Sequence, residues 1–212
     1  MIMMLNNSEF LETIRVVDGY IFHLSYHQKR YERVLNYFGI KEVKNLKDFI
    51  NPPSKGFYKC RLIYSFDAVN VSFHKYQKRD ITSFKLIYDD EIDYSFKSIN
   101  RDSINTHFAS KGECDDILIV KNSLITDTSI ANVAFYKNGI WYTPKKPLLC
   151  GTTRARLLEE GRLQEADIKV EDLYEYSKMS IFNALIDFDL SGKLKILQSC
   201  LHIKPKLCTR NF

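Results

Sequence analysis

The run Phe10-Leu11-Glu12-Thr13-Ile14-Arg15-Val16-Val17 predicts a β-strand, and Asp18-Gly19 turns it into Tyr20-Ile21-Phe22. From His27 to Phe38 the apolar residues Tyr31, Val34, Leu35 and Phe38 recur at helical spacing. Ser25 suits the N-cap of that helix and Gly39 its stop. Residues 42–49 suggest a second, short helix, broken by Asn51-Pro52-Pro53-Ser54. Alternation resumes over 57–66, with Tyr58, Cys60, Leu62 and Tyr64 set against Lys59, Arg61 and Ser65. Residues 69–76 form its expected hairpin partner. The polar stretch 75–80 reads as a linker between a small α+β domain, 1–79, and a second domain, 80–212.

The second part opens with a strand at 84–88 and an acidic turn at 89–93. A helix is expected over 102–111, stopped by Gly112, then a strand over 115–120 and a turn at Lys121-Asn122. The polar cluster Asp127-Thr128-Ser129 precedes an apolar alternation from Ala131 to Tyr136. Asn138-Gly139 turns the chain into Ile140-Trp141-Tyr142-Thr143, a hairpin signal. Gly151-Thr152-Thr153 then leads into a helical pattern over 155–161. Such a start leaves backbone N–H groups unpaired and pointing one way, which suits a phosphate; an ordinary N-cap is the competing reading. Further on come an apolar strand with an Asn183-Ala184-Leu185 turn, a closing strand over 193–201, and a basic, mobile end over 204–212.

Composition narrows the classes. With 212 residues, 45% hydrophobic and 27% charged, the chain can bury a sizeable core. The net charge of +5 is spread among acids, so a nucleic-acid partner is not expected; a cationic site for an anionic ligand would give the same balance. Five cysteines stand far apart without metal-ligand spacing and read as reduced thiols, which places the chain in the cytoplasm. No run reaches membrane-spanning length, so no membrane partner is expected.

Several motifs share one source. Asp127, Ser129 and Asn132, followed by Leu149, Gly151, Thr152 and Arg154, resemble the class IV aminotransferase family. That family carries an acid, a small polar residue and Asn before an apolar strand, then Leu-x-Gly-(Ile or Thr)-x-Arg. Glu12-Thr13-Ile14-Arg15, Asp18-Gly19, and His27 with Arg30 are similar to its Phe-Glu-Thr-(Ile or Leu)-Arg, Asp-Gly and His-x-x-Arg motifs. Lys97 with Asn100-Arg101 resembles its lysine motif in the lyase-like version, and residues 166–173 resemble a later family segment. Only nine residues precede Phe10, where the family normally has a strand pair with an Asp-Arg-Gly…Gly-Asp-Gly segment, so the resemblance is to a short amino-terminal form.

The resemblance implies an α+β, two-domain, D-amino-acid aminotransferase-like fold (fold type IV), with a small α/β amino-terminal domain and a β-barrel-like carboxy-terminal one. It implies a homodimer, a small-molecule amino substrate and pyridoxal 5'-phosphate as cofactor. Lys97 would bond the cofactor covalently and act as base and acid. Asp127, standing where the family has Glu, would support the pyridine nitrogen. Arg30, Asn132, Gly151, Thr152, Thr153, Asn183 and Ala184 would complete the cofactor site, and Arg15 with Thr13 would face substrate. Read without the family, Lys97 and Arg30 are solvated cations, Asp127 a capped turn, Asn183 a buried turn and Arg15 a surface residue of an edge strand. The lyase-like pattern points to 4-amino-4-deoxychorismate lyase chemistry on the folate route. A branched-chain or D-amino-acid transaminase and a non-catalytic relative are the alternatives.

Overall fold

The computed structural model describes residues 8–190 and the short strand Lys195–Ile196. Strand β1 (Phe10–Val17) buries Phe10, Glu12, Ile14 and Val16 and leaves the residues between them half-buried. Successive side chains leave a strand on opposite faces, so this register carries a carboxylate, Glu12, into a layer of apolar side chains. β1 turns through Asp18 and Gly19, both at positive φ, into β2 (Tyr20–Ile21). It pairs along its length with β3 (Phe57–Tyr64), which pairs with β4 (Val69–Lys75). Helix α1 (Leu24–Tyr37) covers this antiparallel β2-β1-β3-β4 sheet, packing Tyr31, Val34 and Leu35 among Ile14, Val16, Cys60 and Leu62.

Two expectations here are corrected. Ser25 is not the N-cap: α1 starts at Leu24, and His23, left-handed at φ 52, precedes it without a side-chain cap bond. Only two residues separate β2 from α1, so a left-handed residue has to make the sharp reversal. The helix expected over 42–49 shrinks to a single 3-10 turn, Leu46–Phe49. The backbone before it is bound by α1 instead: Gln28 Nε2 donates to the Lys44 carbonyl (3.0 Å), and Gln28 Oε1 accepts from the Leu46 amide (2.9 Å). Those tertiary bonds replace the helical ones.

The second sheet holds β5 (Ser83–Tyr88), β6 (Asp116–Lys121), β7 (Leu124–Thr128), β8 (Asn132–Lys137), β9 (Ile140–Pro144), β10 (Gln164–Ala166), β11 (Lys178–Phe182) and β12 (Lys195–Ile196). Its order is β10-β9-β8-β7-β6-β5-β12, with β11 on β8. β5 and β6 are parallel, and their crossover carries α2 (Asp102–Ala109). β9 and β10 are also parallel, through α3 (Thr152–Glu159); β10 has no counterpart among the expected strands. Of the closing strand expected over 193–201, β12 is the described part, parallel to β5. The rest of it and the basic end 204–212 lie outside the described residues. The architecture is α+β, built on two sheets.

β8 is buried on both faces rather than one. Val133 and Phe135 join a core with Leu118, Ile125 and Met179, while Ala134 packs with Trp141, Leu157 of α3 and Phe182. β7 and β8 share a single residue pair, Asp127↔Asn132, so the two strands separate beyond it. No helix among the described residues is long and apolar enough to cross a membrane.

Candidate active site

A cavity of about 490 Å³ is lined by β1, β3 and α1 from the first sheet's side and by β7, β8, the Gly151 turn and the 183–185 turn from the other. Lys97 reaches it from an irregular segment that the first sheet holds in place. The Lys97 carbonyl accepts from the Leu11 amide (2.7 Å), and the Ile99 amide donates to the Glu9 carbonyl (3.1 Å). The segment thus adds a short antiparallel rung to the free edge of β1 at Phe10↔Ser98. Tyr94 Oη donates to the Ser98 carbonyl and braces it further (2.8 Å).

The Lys97 amine has no hydrogen bond or ion pair within the described residues. Burial, then the nearby charges of Arg30 and Arg101, bring its pKa down to about 7 against the opposing pull of Glu12 and Asp127. A substantial neutral fraction at pH 7 makes it a nucleophile. Competitive labelling of amines, followed by mass spectrometry, should therefore show Lys97 gaining about tenfold in reactivity between about pH 6 and about pH 8 and levelling off above that. Ordinary lysines keep gaining toward about pH 10. A Lys97 profile that tracks theirs would contradict the desolvated amine.

Asp127 lies across the cavity on β7, with its cross-strand partner Asn132 on β8. Asn132 Nδ2 donates to Asp127 Oδ1 (2.7 Å) and to the Leu149 carbonyl (2.9 Å). The Leu149 amide donates to Asp127 Oδ2 (2.8 Å). Burial pushes the Asp127 carboxyl up to about 6, and these donors hold it back from rising further. One carboxylate thus ties β7, β8 and the segment before α3 together.

Gly151 follows as the N-cap of α3, in ordinary extended backbone (φ −69, ψ 149). What requires glycine there is space: a Cβ would lie 2.0 Å from Asn132 Oδ1. No side chain caps the helix, so the N–H groups at Thr152 and Thr153 are left for a ligand in the cavity that both residues line. Arg154 does not face the cavity. It braces the helix start by donating to the Pro144 carbonyl (2.8 Å) and to Glu165 (2.5 Å).

Arg30 enters from α1, buried except where it lines the cavity. Glu12 holds it with both oxygens, accepting from Nε (2.7 Å) and Nη2 (2.5 Å). His27 Nδ1 meets the same carboxylate at 2.5 Å. Burial opposes the charge on Glu12, but Arg30 and His27 outweigh it and keep the carboxyl at about 2.

The structure brings Arg30, Lys97, Asp127, Asn132, Gly151, Thr152, Thr153, Asn183, Ala184 and Thr13 to one cavity. It does not bring Arg15. Arg15 shares the face of β1 that carries Thr13, but its guanidinium is paired to Asp187 (2.6 Å) and lies 5.0 and 5.2 Å from the rings of Phe22 and Phe57. Asn183 reaches the cavity, yet its side chain is spent on the turn. Oδ1 accepts from the amides of Leu185 (2.8 Å) and Ile186 (2.9 Å), and Nδ2 donates to the Ile130 carbonyl (3.0 Å).

The sequence reading assigned no site role to Glu12 or to the basic wall formed by Lys59, Arg61, Lys75, Arg79 and Arg101. A signal for Glu12 exists, because it occupies an inward position of an alternating strand, where a carboxylate needs a partner. Lys59 and Arg61 alternate with buried Cys60 and Leu62 on β3, which marks their face but not what it faces.

Comparison with known proteins gives the family. Residues 68–188 match the family described as amino-transferase class IV. A Haemophilus influenzae protein, named only as uncharacterized, is 39% identical over 180 residues, 82% of this chain and 96% of its own length. This chain belongs to the class IV aminotransferase family. A solved Haemophilus somnus structure, provisionally named 4-amino-4-deoxychorismate lyase, shares the class IV fold at TM-score 0.80 and 35% identity, covering 85% of this chain and 97% of that one. A hypothetical aminotransferase from Mycobacterium tuberculosis, solved in its PLP-bound form, matches at TM-score 0.73 and 14% identity over 89% of this chain and 84% of its own; at that identity the likeness is one of fold.

Proposed function

We propose that this chain is a pyridoxal-phosphate-dependent lyase converting 4-amino-4-deoxychorismate to 4-aminobenzoate and pyruvate. The observation that carries the reading is the charge of the cavity wall: Arg30, Lys59, Arg61, Lys75, Arg79 and Arg101 against one carboxylate, Asp127. A cofactor phosphate and a substrate with two carboxylates bring the anions such a wall needs, whereas a branched-chain amino acid brings one carboxylate and an apolar side chain. The relationship to the Haemophilus somnus protein supports the same choice.

The residues also fit the cofactor. An amine without a partner, a buried carboxylate opposite it, and an uncapped helix start beside a glycine are three separate requirements of one ligand. Lys97 would attach the cofactor, Asp127 would hold its pyridine nitrogen, and Arg30 with the Thr152 and Thr153 amides would hold its phosphate. When bound, pyridoxal phosphate supplies an electron sink for the bond-breaking at the substrate carbon. The chain's own contribution is to orient that group and to move protons. With its pKa near 7, the Lys97 amine can take a proton and return it at neutral pH. Asp127 would supply negative charge to the ring nitrogen, and the β7–β8–Leu149 bonds keep the carboxylate in place.

The test is a paired assay on the purified protein with cofactor. Pyruvate and 4-aminobenzoate should form together from 4-amino-4-deoxychorismate, without a 2-oxo acid. Amino transfer to 2-oxoglutarate from a branched-chain or D-amino acid, without pyruvate release, would assign the chain to the transaminases instead.

A further inference from the structure

Glu12 sits between Phe10 and Ile14 on the inward face of β1 and is fully buried. A buried carboxylate is strongly unfavourable unless every lone pair finds a donor, so its partners carry information. Both oxygens go to α1: Oε1 accepts from Arg30 Nε (2.7 Å), and Oε2 accepts from Arg30 Nη2 (2.5 Å) and contacts His27 Nδ1 (2.5 Å). Burial pushes the His27 imidazole down, so at pH 7 it is neutral and meets the carboxylate by donating from Nδ1.

His27 and Arg30 are three residues apart on one helix, so one carboxylate can hold both side chains. The side-on pairing through Nε and Nη2 fixes the guanidinium plane and leaves Nη1 uncommitted among the described residues. Arg30 lines the cavity and Glu12 does not.

We propose that Glu12 is the positioning residue of the phosphate subsite. It locks the Arg30 guanidinium, with His27 as the second strut, so that Nη1 is presented to the cofactor phosphate without having to be ordered on binding. The assignment rests on the pyridoxal phosphate reading above. An arginine already held in one orientation loses little conformational freedom when the anion arrives.

The experiment titrates the apoprotein with pyridoxal phosphate and with pyridoxal, its phosphate-free analogue, following absorbance and protein fluorescence. Wild type should prefer the phosphorylated ligand. Glu12→Gln should weaken pyridoxal phosphate by about 10- to 100-fold, the scale of a lost charge-assisted hydrogen bond, and change pyridoxal by less than about threefold. Arg30→Lys keeps the charge but loses the planar fork, and should show the same selective loss. Adding Glu12→Gln to Arg30→Lys should then cost no further selectivity.

Equal weakening of both ligands by Glu12→Gln, or of neither, overturns the assignment, because a purely structural carboxylate would not distinguish them. If Glu12→Gln does not fold, an Arg30→Lys protein with the wild-type preference overturns it equally. Wild type binding neither ligand overturns the cofactor reading itself, which is a separate outcome.

Discussion

Replacing Lys97 by Ala is expected to leave a folded protein that holds pyridoxal phosphate without bonding to it. Borohydride reduction followed by mass spectrometry should add the cofactor's mass to wild type and not to the variant. Turnover in the proposed lyase reaction should fall by about four orders of magnitude, because nucleophile and proton carrier are lost together. The fold should survive, since the amine makes no hydrogen bond or ion pair within the described residues. The backbone of the segment also stays fixed by the Leu11 amide and the Phe10↔Ser98 rung. Covalent trapping that persists in Lys97→Ala would move the reactive amine elsewhere and remove the basis of the proposed chemistry.

The second large effect is expected at Gly151, whose requirement is steric. Gly151→Ala puts a methyl carbon 2.0 Å from Asn132 Oδ1, closer than real contacts allow. Alanine adopts φ −69 and ψ 149 readily, so the penalty is a collision and not backbone strain. Asn132 cannot swing aside cheaply, because its amide is bonded to both Asp127 and the Leu149 carbonyl. Either that pair breaks or the start of α3 moves away, and both disturb the proposed phosphate and pyridine ends of the site. A loss of about 1–3 kcal/mol in stability is expected, together with a large loss in affinity for pyridoxal phosphate. Thermal melts and ligand titration measure the two. Asn132→Ala in the same protein should recover part of the stability by opening space, and the two changes should be non-additive. A Gly151→Ala protein with wild-type melting and affinity would show that the contact relaxes freely.

These two positions differ in how much of their role a motif explains. Lys97 and Gly151 were both legible as members of motifs, each tied to a family role. The motif says nothing of why Gly151 has to be glycine, because the Asn132 amide that excludes a methyl group arrives from another strand. Asn183 is similar. Its place in an Asn-Ala-Leu turn was readable, and so was the possibility that it serves the turn alone; the bonds to Leu185, Ile186 and Ile130 show its side chain committed there. Arg15 followed the same reasoning in the opposite direction. Its strand and its face were predictable, but Asp187, 172 residues away, holds its guanidinium.

The helix expected over 42–49 illustrates the same limit at the level of secondary structure. Local pattern favoured helix, and two bonds from Gln28 on α1 overrode it. The α1 start moved for a related reason, since the short span after β2 demanded a left-handed residue that no capping rule would select.

By itself the sequence determined the strand and helix periods, the Asp18-Gly19 and Asn138-Gly139 turns, and the order of the motif residues along the chain. Those are local properties, set by how each residue's backbone and side chain behave next to their immediate neighbours. Only the tertiary structure decided which charges meet: Glu12 with Arg30, Arg15 with Asp187, and five further cations gathered along the wall that Lys97 and Arg30 also line. Electrostatic and steric pairing depends on distance in space. Residues carried by both sheets have to line one cavity before a desolvated lysine, a buried carboxylate and an uncapped helix start can act together.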